Sequence, residues 1–318
     1  MKLNTTLLSG LLGLAMVLPG VSLAAWPDRP LELVVGFAPG GGTDLTARSL
    51  ALFLKKELGQ TVTVLNKPGA SGAIALSYVA RSKPDGNTLA ITNMPGLVSL
   101  PIERDPGFDL DSFTYISNLV RDPSAVSVTI DSPYKNLQDL LDAAKAAPGE
   151  ISYGSTGVGT DDHLQEVLLQ ELTGADLNHV PFNGAGPLRN ALLGKHVVVG
   201  GMNLGEAKPF HGQNVRILAQ ASDERSELAP DVPTFKEQGV DLVFASERGV
   251  VGPKGMDPEV TQKLRDVLSK IAADPEFQQH MRQQYTEMDY LEGDAWLERL
   301  KESDKYFRGL WERQPWTE

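Results

Sequence analysis

From Trp26 onward, short β-rich apolar runs alternate with stretches of helical periodicity. Leu31 to Phe37, Thr61 to Leu65 and Thr88 to Thr92 read as strands, with helices between them. The helix after Asp44 carries Ala47, Leu50, Ala51, Leu54 and Leu58 as one buried stripe, turns Arg48, Lys55 and Lys56 outward, and ends at Gly59. A second set of elements begins near Ala125. It comprises a strand Val126 to Ile130, a helix Asn136 to Ala147 stopped by Pro148 and Gly149, and a strand Ile151 to Tyr153. A helix bearing Leu164, Val167, Leu168 and Leu172 follows, then apolar runs at Val197 to Val199, Val215 to Ala219 and Val240 to Phe244. The tail is helical over Pro258 to Ala273, Pro275 to Gln284 and Asp294 to Arg313, the last docking through Trp296, Leu300, Phe307 and Trp311. Alternation of this kind predicts an α/β protein with helices on the faces of parallel sheets.

No low-complexity linker separates the two sets, so the chain is expected to pass between two lobes on strands. Charge and Pro or Gly content place these crossings near Asp122 to Ala125 and near Ser246 to Arg248. The expected division is residues 26–123 with 247–318 in lobe 1 and 124–246 in lobe 2. Residues 1–25 form a separate unit: Lys2, an apolar run from Leu7 to Leu18, Pro19-Gly20 and small residues through Ala25. They read as a secretory signal peptide cleaved after Ala24 or Ala25, the apolar run being shorter than the ~20 residues that span a bilayer. The absence of cysteine excludes disulfides and lipid anchoring through a processed cysteine, so the exported chain is expected to diffuse freely as a monomer without membrane insertion.

The formal charge of −12 becomes −13 once Lys2 leaves with the leader, which disfavours nucleic acid because phosphate binding needs concentrated cations. An acidic protein that binds an anion must use local dipoles, and four segments offer them. Val34-Val35-Gly36-Phe37-Ala38-Pro39-Gly40-Gly41-Gly42-Thr43-Asp44 is a strand, a loop nearly without side chains, and an immediate helix start. Pro68-Gly69-Ala70-Ser71-Gly72-Ala73, Gly154-Ser155-Thr156-Gly157-Val158-Gly159-Thr160 and Asn183-Gly184-Ala185-Gly186-Pro187 repeat the pattern, two in each half. Bared backbone N–H groups at helix starts seat carboxylates or phosphates without a cation. In open α/β sheets such loops lie at the carboxyl ends of strands and would face each other across a cleft. Each loop taken singly also suits a tight strand-to-helix connection. No Lys follows Gly42 as a P-loop needs, the dinucleotide fingerprint is incomplete at Gly157 and Gly159, and Ser155 lacks the flanking glycines of a nucleophile elbow.

Several ordered motifs resemble the extracytoplasmic solute receptors of tripartite tricarboxylate transporters, often called the Bug family. They are Trp26-Pro27-Asp28-Arg29-Pro30, Pro39 to Asp44, Asn66-Lys67-Pro68-Gly69-Ala70-Ser71-Gly72, Lys83-Pro84-Asp85-Gly86, and Pro233-Thr234 with Glu237 and Gly239. The resemblance covers the whole chain after the leader. It implies a two-lobed periplasmic binding protein of the type II, Venus-flytrap class with two strand crossovers, which closes on a carboxylated solute and hands it to inner-membrane permease subunits. By position it implies a first-lobe site of Pro39, Gly40, Gly41, Thr43, Asp44, Ala70, Ser71 and Gly72, to which Phe37 at the strand end is added. The second lobe would contribute Ser155, Thr156, Thr160, Asn183 and Gly184. Two departures bear on the ligand. Ser246-Glu247-Arg248-Gly249 stands where many relatives carry an aromatic residue, and Gly200-Gly201-Met202-Asn203 where many carry an acidic one. Met202 and Arg248 are therefore candidate cleft residues. Arg248 fits either a second ligand carboxylate, favouring a diacid, or a hinge ion pair with Glu247 or Asp44. Di- and tricarboxylates and aromatic acids all remain open.

His163 follows Asp161 and Asp162 at a helix start, where neighbouring side chains diverge, and no second histidine is near in sequence. Capping and a hydrogen bond toward the ligand are the readings for this segment, and neither metal nor cofactor is expected. No carboxylate pair stands out as acid and base, so no catalytic residue is assigned. A periplasmic hydrolase or lyase would have only Ser155, His163 and Asp44 to use. A ligand-sensing receptor for a membrane sensor kinase is the other alternative to transport.

Overall fold

The computed structural model describes residues 26–317, so the expected leader lies outside the described residues. The first half of the chain runs β1 (Leu31–Val35), α1 (Gly42–Leu58), β2 (Val62–Asn66), α2 (Ala73–Ala80), β3 (Thr88–Ile91) and α3 (Gly96–Glu103). β4 (Phe113–Thr129) leads into α4 (Leu137–Ala146), β5 (Ser152–Ser155), α5 (Asp161–Thr173), β6 (Asn178–Pro181), α6 (Ala185–Leu193), β7 (Val199–Asn203), α7 (Leu204–Ala207) and β8 (Val215–Gln220). β9 (Ala245–Pro253), α8 (Pro258–Ala273), α9 (Pro275–Gln283), β10 (Glu287–Glu292) and α10 (Gly293–Arg313) complete the chain.

The strand order is β2-β1-β3-β9-β4-β7-β5-β6, with β10 and β8 also pairing with β4. β1 is parallel to β2 and β3, and β5 is parallel to β6 and β7, as the alternating pattern predicts. β4 belongs to both sheets. Phe113 to Pro123 pair antiparallel with β9, whereas Ser124 to Thr129 pair with β7 and β8. Beside it, Phe244 accepts from the Ser124 N–H and donates to the Ala221 carbonyl, and the next residue, Ala245, pairs with Pro123. Two strands thus pass side by side between two α/β lobes.

Local chemistry explains the element ends. The Asn136 side chain accepts from the Asp139 N–H at the start of α4. Asp257-Pro258-Glu259 and Asp274-Pro275-Glu276 start α8 and α9 alike, with aspartate capping and proline in the first turn. Gly59, at φ 70°, closes α1. One core packs Leu31, Leu33 and Val35 against Leu50 and Leu54 of α1 and Leu264 and Leu268 of α8. Trp296 and Phe307 bury one face of α10, the Trp296 ring lying edge-on to Tyr115 at 5.5 Å.

Three elements differ from the expected ones, and the first two share one cause. The expected strand at Val126 is the second half of a 17-residue strand, and its first half was masked by Arg121-Asp122-Pro123. Val240 to Phe244 precede the strand rather than form it, and β9 instead takes in Ser246-Glu247-Arg248. β10, rich in acidic residues, is read as no element at all. In the first two cases the polar residues are buried and paired at the crossing, so hydropathy alone marks them as breaks.

Candidate functional site

The first glycine loop is held from within. Asp44, buried in the first turn of α1, accepts from the Gly40 N–H at 2.9 Å, from Arg48 Nε and Nη2 at 2.9 Å, and from Asn66 Nδ2 at 2.8 Å. Asn66 also donates to the Phe37 carbonyl. Burial alone would raise the Asp44 carboxyl, but the bonds from Arg48, Gly40 and Asn66 outweigh it and hold it below its ordinary 3.8. Asp44 therefore shapes the loop rather than offering itself to a ligand. Asp44→Asn should cost about 1–3 kcal/mol at pH 7 because buried donors lose their acceptor. A depressed carboxyl contributes stability that is present above 3.8 and lost as pH falls through its folded value. The penalty should accordingly shrink in strong acid, as urea titrations of both proteins at pH 7 and pH 3 will report.

In the second loop Ala70 and Ser71 adopt φ values of 47° and 57°, strain that non-glycine residues bear where a loop is held by its surroundings. Gly36, Phe37, Ser71 and Gly72 line a recess with Thr92 and Asn93, and the Asn93 Oδ1 atom is buried without a protein partner. Thr92 and Asn93 were not singled out from the sequence. Their signal was the strand at Thr88, whose carboxyl end opens at the same level as the glycine loops.

The lobes are closed on one another. Ala38 N–H donates to the Asn183 carbonyl at 3.1 Å, Ser99 Oγ to the Gly159 carbonyl at 2.5 Å, and Gly42 N–H to Glu206 Oε1 at 2.7 Å. The starts of α1 and α6 meet here. Neither Gly41 nor Gly184 caps its helix through a side chain, and a Cβ placed on Gly41 would lie 3.7 Å from Ala185 N and 3.5 Å from Glu206 Oε1. Pro39 lies against the same helix start, its carbonyl 3.5 Å from where a Gly186 Cβ would sit.

The third loop differs. Asp162 accepts from the Thr156 N–H at 3.2 Å and Oγ1 at 2.7 Å, Ser155 Oγ accepts from Gly157 N–H, His163 Nδ1 accepts from Gly159 N–H, and Thr160 Oγ1 donates to the Gly157 carbonyl. The loop amides of Thr156, Gly157 and Gly159 are thus satisfied by the chain's own side chains, although the start of α5 itself has no side-chain cap. Ser155 and Thr160 are fully buried, and Met202 packs in the lobe 2 core with Ala125 and Leu204 rather than lining the cleft.

Arg248 is also fully buried. It pairs with Asp122 Oδ2 at 2.9 Å and Asn203 Oδ1 at 3.0 Å, not with Glu247 or Asp44, which are taken by Arg299 and Arg48. The expected hinge ion pair exists with a different partner, because β4 and β9 bring Asp122 and Arg248 together at the crossing. Burial pushes Asp122 up to about 7, opposed by Arg248, and Asp161 up to about 6, opposed by a hydrogen bond from Asn203. Glu206 adds its field to both. Asp122, Glu206 and Asp161 all favour the charged guanidinium, yet only its Nη2 is hydrogen-bonded, and Nε and Nη1 are buried without a partner.

His163 does have a neighbour, supplied by β6. The His163 and His179 rings stack at 3.7 Å and 8°, and His179 Nε2 lies 2.6 Å from Ser155 Oγ. Glu166, one turn along α5, completes a trio whose candidate ligand atoms lie within 4.8 Å of one another. One nitrogen of each ring is committed: the Gly159 amide holds the lone pair of His163 Nδ1, leaving the ring proton on Nε2, and His179 Nε2 is bonded to Ser155 Oγ. The parallel stack also keeps in-plane lone pairs from converging on one ion. Burial drives His163 down to about 3, aided by His179, and His179 down to about 4, while burial and then Asp176 push Glu166 up to about 8. His163 and His179 hold the third loop through Gly159 and Ser155, whereas both Glu166 carboxyl oxygens are buried without a hydrogen-bond partner. The hydrolase candidates are not assembled either, since Ser155 faces His179 rather than His163 and Asp44 is bound within the other lobe.

With these lobes and loops in place, comparison with known proteins is informative. The model of the tripartite tricarboxylate transporter family receptor, TctC, matches residues 46–301. The chain belongs to that family. A relative from Cupriavidus necator, the UPF0065 protein in the gbd 5' region, is 36% identical over 306 residues, 95% of this chain and 92% of its own. Among solved structures, the periplasmic binding protein BugD superposes with a TM-score of 0.85 at 32% identity, covering 91% of this chain and 98% of BugD. R. palustris Rpa4515, solved with adipate, superposes at 0.86 with 29% identity, covering 90% of this chain and 97% of its own. The TctC resemblance read from the glycine motifs and the two-lobed fold with two strand crossovers are therefore both established. Among the described residues, no helix is long and apolar enough to cross a membrane.

Proposed function

We propose that this TctC receptor works in the periplasm, binds a small carboxylic acid between its lobes and delivers it to the permease subunits of a tripartite transporter without chemical change. The observation that carries this reading is the meeting of the α1 and α6 starts at Gly41 and Ala185, neither capped by its N-cap side chain, beside the recess at Phe37, Ser71 and Asn93. Amide dipoles there seat a carboxylate in a protein whose overall charge is acidic. The recess, closed down to about 10 Å³ here, would have to widen as the lobes part to admit a carbon chain, and the adipate in Rpa4515 is a carboxylate of the proposed class. Arg248 positions the crossing strands through Nη2, and its Nε and Nη1, buried without a protein partner, are donors a second ligand carboxylate would satisfy. We take the lobe boundaries at residues 123–124 and 246–247, the second lying two residues past the point where Phe244 and Ala245 run beside Ser124 and Pro123.

Thermal-shift and calorimetric screening of the mature protein against mono-, di- and tricarboxylates and aromatic acids tests the reading. A stabilising acid bound one to one and recovered unchanged is expected, because a ligand of the folded state raises Tm. A panel without any binder, or an acid converted to product, overturns it. Gly41→Val should weaken binding of that acid strongly by placing a branched side chain between Ala185 and Glu206; unchanged affinity would put the seat elsewhere.

A further inference from the structure

Glu206 was not singled out from the sequence, yet it makes the most informative contact across the cleft. Its carboxylate is held in lobe 2 by a capping box at the start of α7, where Oε2 accepts from the Asn203 N–H at 3.2 Å and Asn203 caps in return. The other oxygen crosses to lobe 1 and accepts from the Gly42 N–H, the first amide of α1, at 2.7 Å. That oxygen lies 3.5 Å from the position of a Gly41 Cβ, and the Ala185 nitrogen at the start of α6 lies 3.7 Å from the same point. A side-chain carboxylate thus stands at the junction of two positive helix ends, the environment assigned above to the ligand's carboxylate.

We propose that Glu206 is a built-in surrogate for the ligand's carboxylate: it latches the lobes shut by occupying the seat at the α1 start, and an incoming acid must displace it. This rests on the acid-binding reading. The consequence is selectivity. A tethered carboxylate competes at an effective concentration on the order of millimolar or more, so an acid offering only one carboxylate loses the exchange. An acid with a carbon chain or second polar group reaching the recess at Ser71 and Asn93 gains contacts that Glu206 lacks. Glu206 is in this sense the specificity-determining residue, filtering out short monoacids.

The test compares mature wild type with Glu206→Ala by small-angle scattering, with no acid present and with sodium acetate against sodium chloride at equal ionic strength. Wild type should be compact in every buffer, and acetate should leave its Tm unchanged. Glu206→Ala should be more extended in chloride and return to the wild-type radius of gyration in acetate, the small anion refilling the seat. Glu206→Gln, which keeps an acceptor for the α7 start, serves if the alanine variant folds poorly; it should open in the same direction. A variant as compact as wild type overturns the latch, whatever acids bind. Opening that acetate does not reverse overturns the surrogate role. If some acid of the panel still binds wild type, only this proposal falls, whereas failure of every acid on both proteins removes the acid-binding reading as well.

Discussion

Arg248→Met should destabilise the protein by about 3–5 kcal/mol, the cost of leaving a buried charge partner uncompensated. Arg248 and Asp122 are both fully buried where β4 and β9 cross, and Asn203 completes the contact. Without the guanidinium, Asp122 loses the charge that opposes its desolvation and must take up a proton, while Asp161 and Glu206 lose the same counter-charge. The double variant Asp122→Asn with Arg248→Met should recover part of the loss, because it removes both halves of the pair. Guanidinium unfolding of the wild type, two single variants and the double variant measures the coupling. Additive losses would show that the pair is not the unit holding the crossing. Gly42→Val should resemble the Arg248 variant, since a Cβ there would lie 2.4 Å from Arg248 Nη2.

The second large effect concerns closure. Gly157 has φ 138°, and a Cβ on it would lie 2.6 Å from Ser71 Oγ and 3.3 Å from Ser71 Cα in the opposite lobe. Gly157→Ala should reduce affinity for the acid found by screening by about tenfold or more, corresponding to strain of about 1–3 kcal/mol. Part of that strain is local to the third loop and part arises only when the lobes meet. Adding Ser71→Gly should therefore restore some of the affinity without restoring the variant's own Tm. Calorimetry and thermal unfolding of the single and double variants separate the two. If Ser71→Gly restores nothing, the third loop does not meet the second in the closed form.

Much of this was legible in the residue order because the relevant physics is local. Strand-glycine-helix junctions, the caps at Asn136, Asp257 and Asp274, and the apolar stripe of α1 are short-range patterns. The convergence of the glycine loops followed from topology, since all lie at strand ends. The charge-bearing positions were less legible. Arg121-Asp122-Pro123 and Ser246-Glu247-Arg248 look like solvent-facing interruptions, and only their juxtaposition makes them interior. His179 lies 16 residues beyond His163 and Glu206 lies 164 residues beyond Gly42, so neither contact leaves a spacing to recognise.

The sequence by itself determined the α/β class, the two sets of elements, the receptor family and the loops that bare backbone amides, because each depends on hydropathy period, turn chemistry or ordered motifs. Only the tertiary structure decided which of those amides the protein satisfies for itself. In the loop before α5 those of Thr156, Gly157 and Gly159 go to Asp162, Ser155 and His163, and at α1 the first goes to Glu206, whereas the starts of α5 and α6 have no side-chain cap. The physical reason is that hydrogen-bond acceptors are assigned by distance in space, and a buried carboxylate finds its donors wherever the fold delivers them.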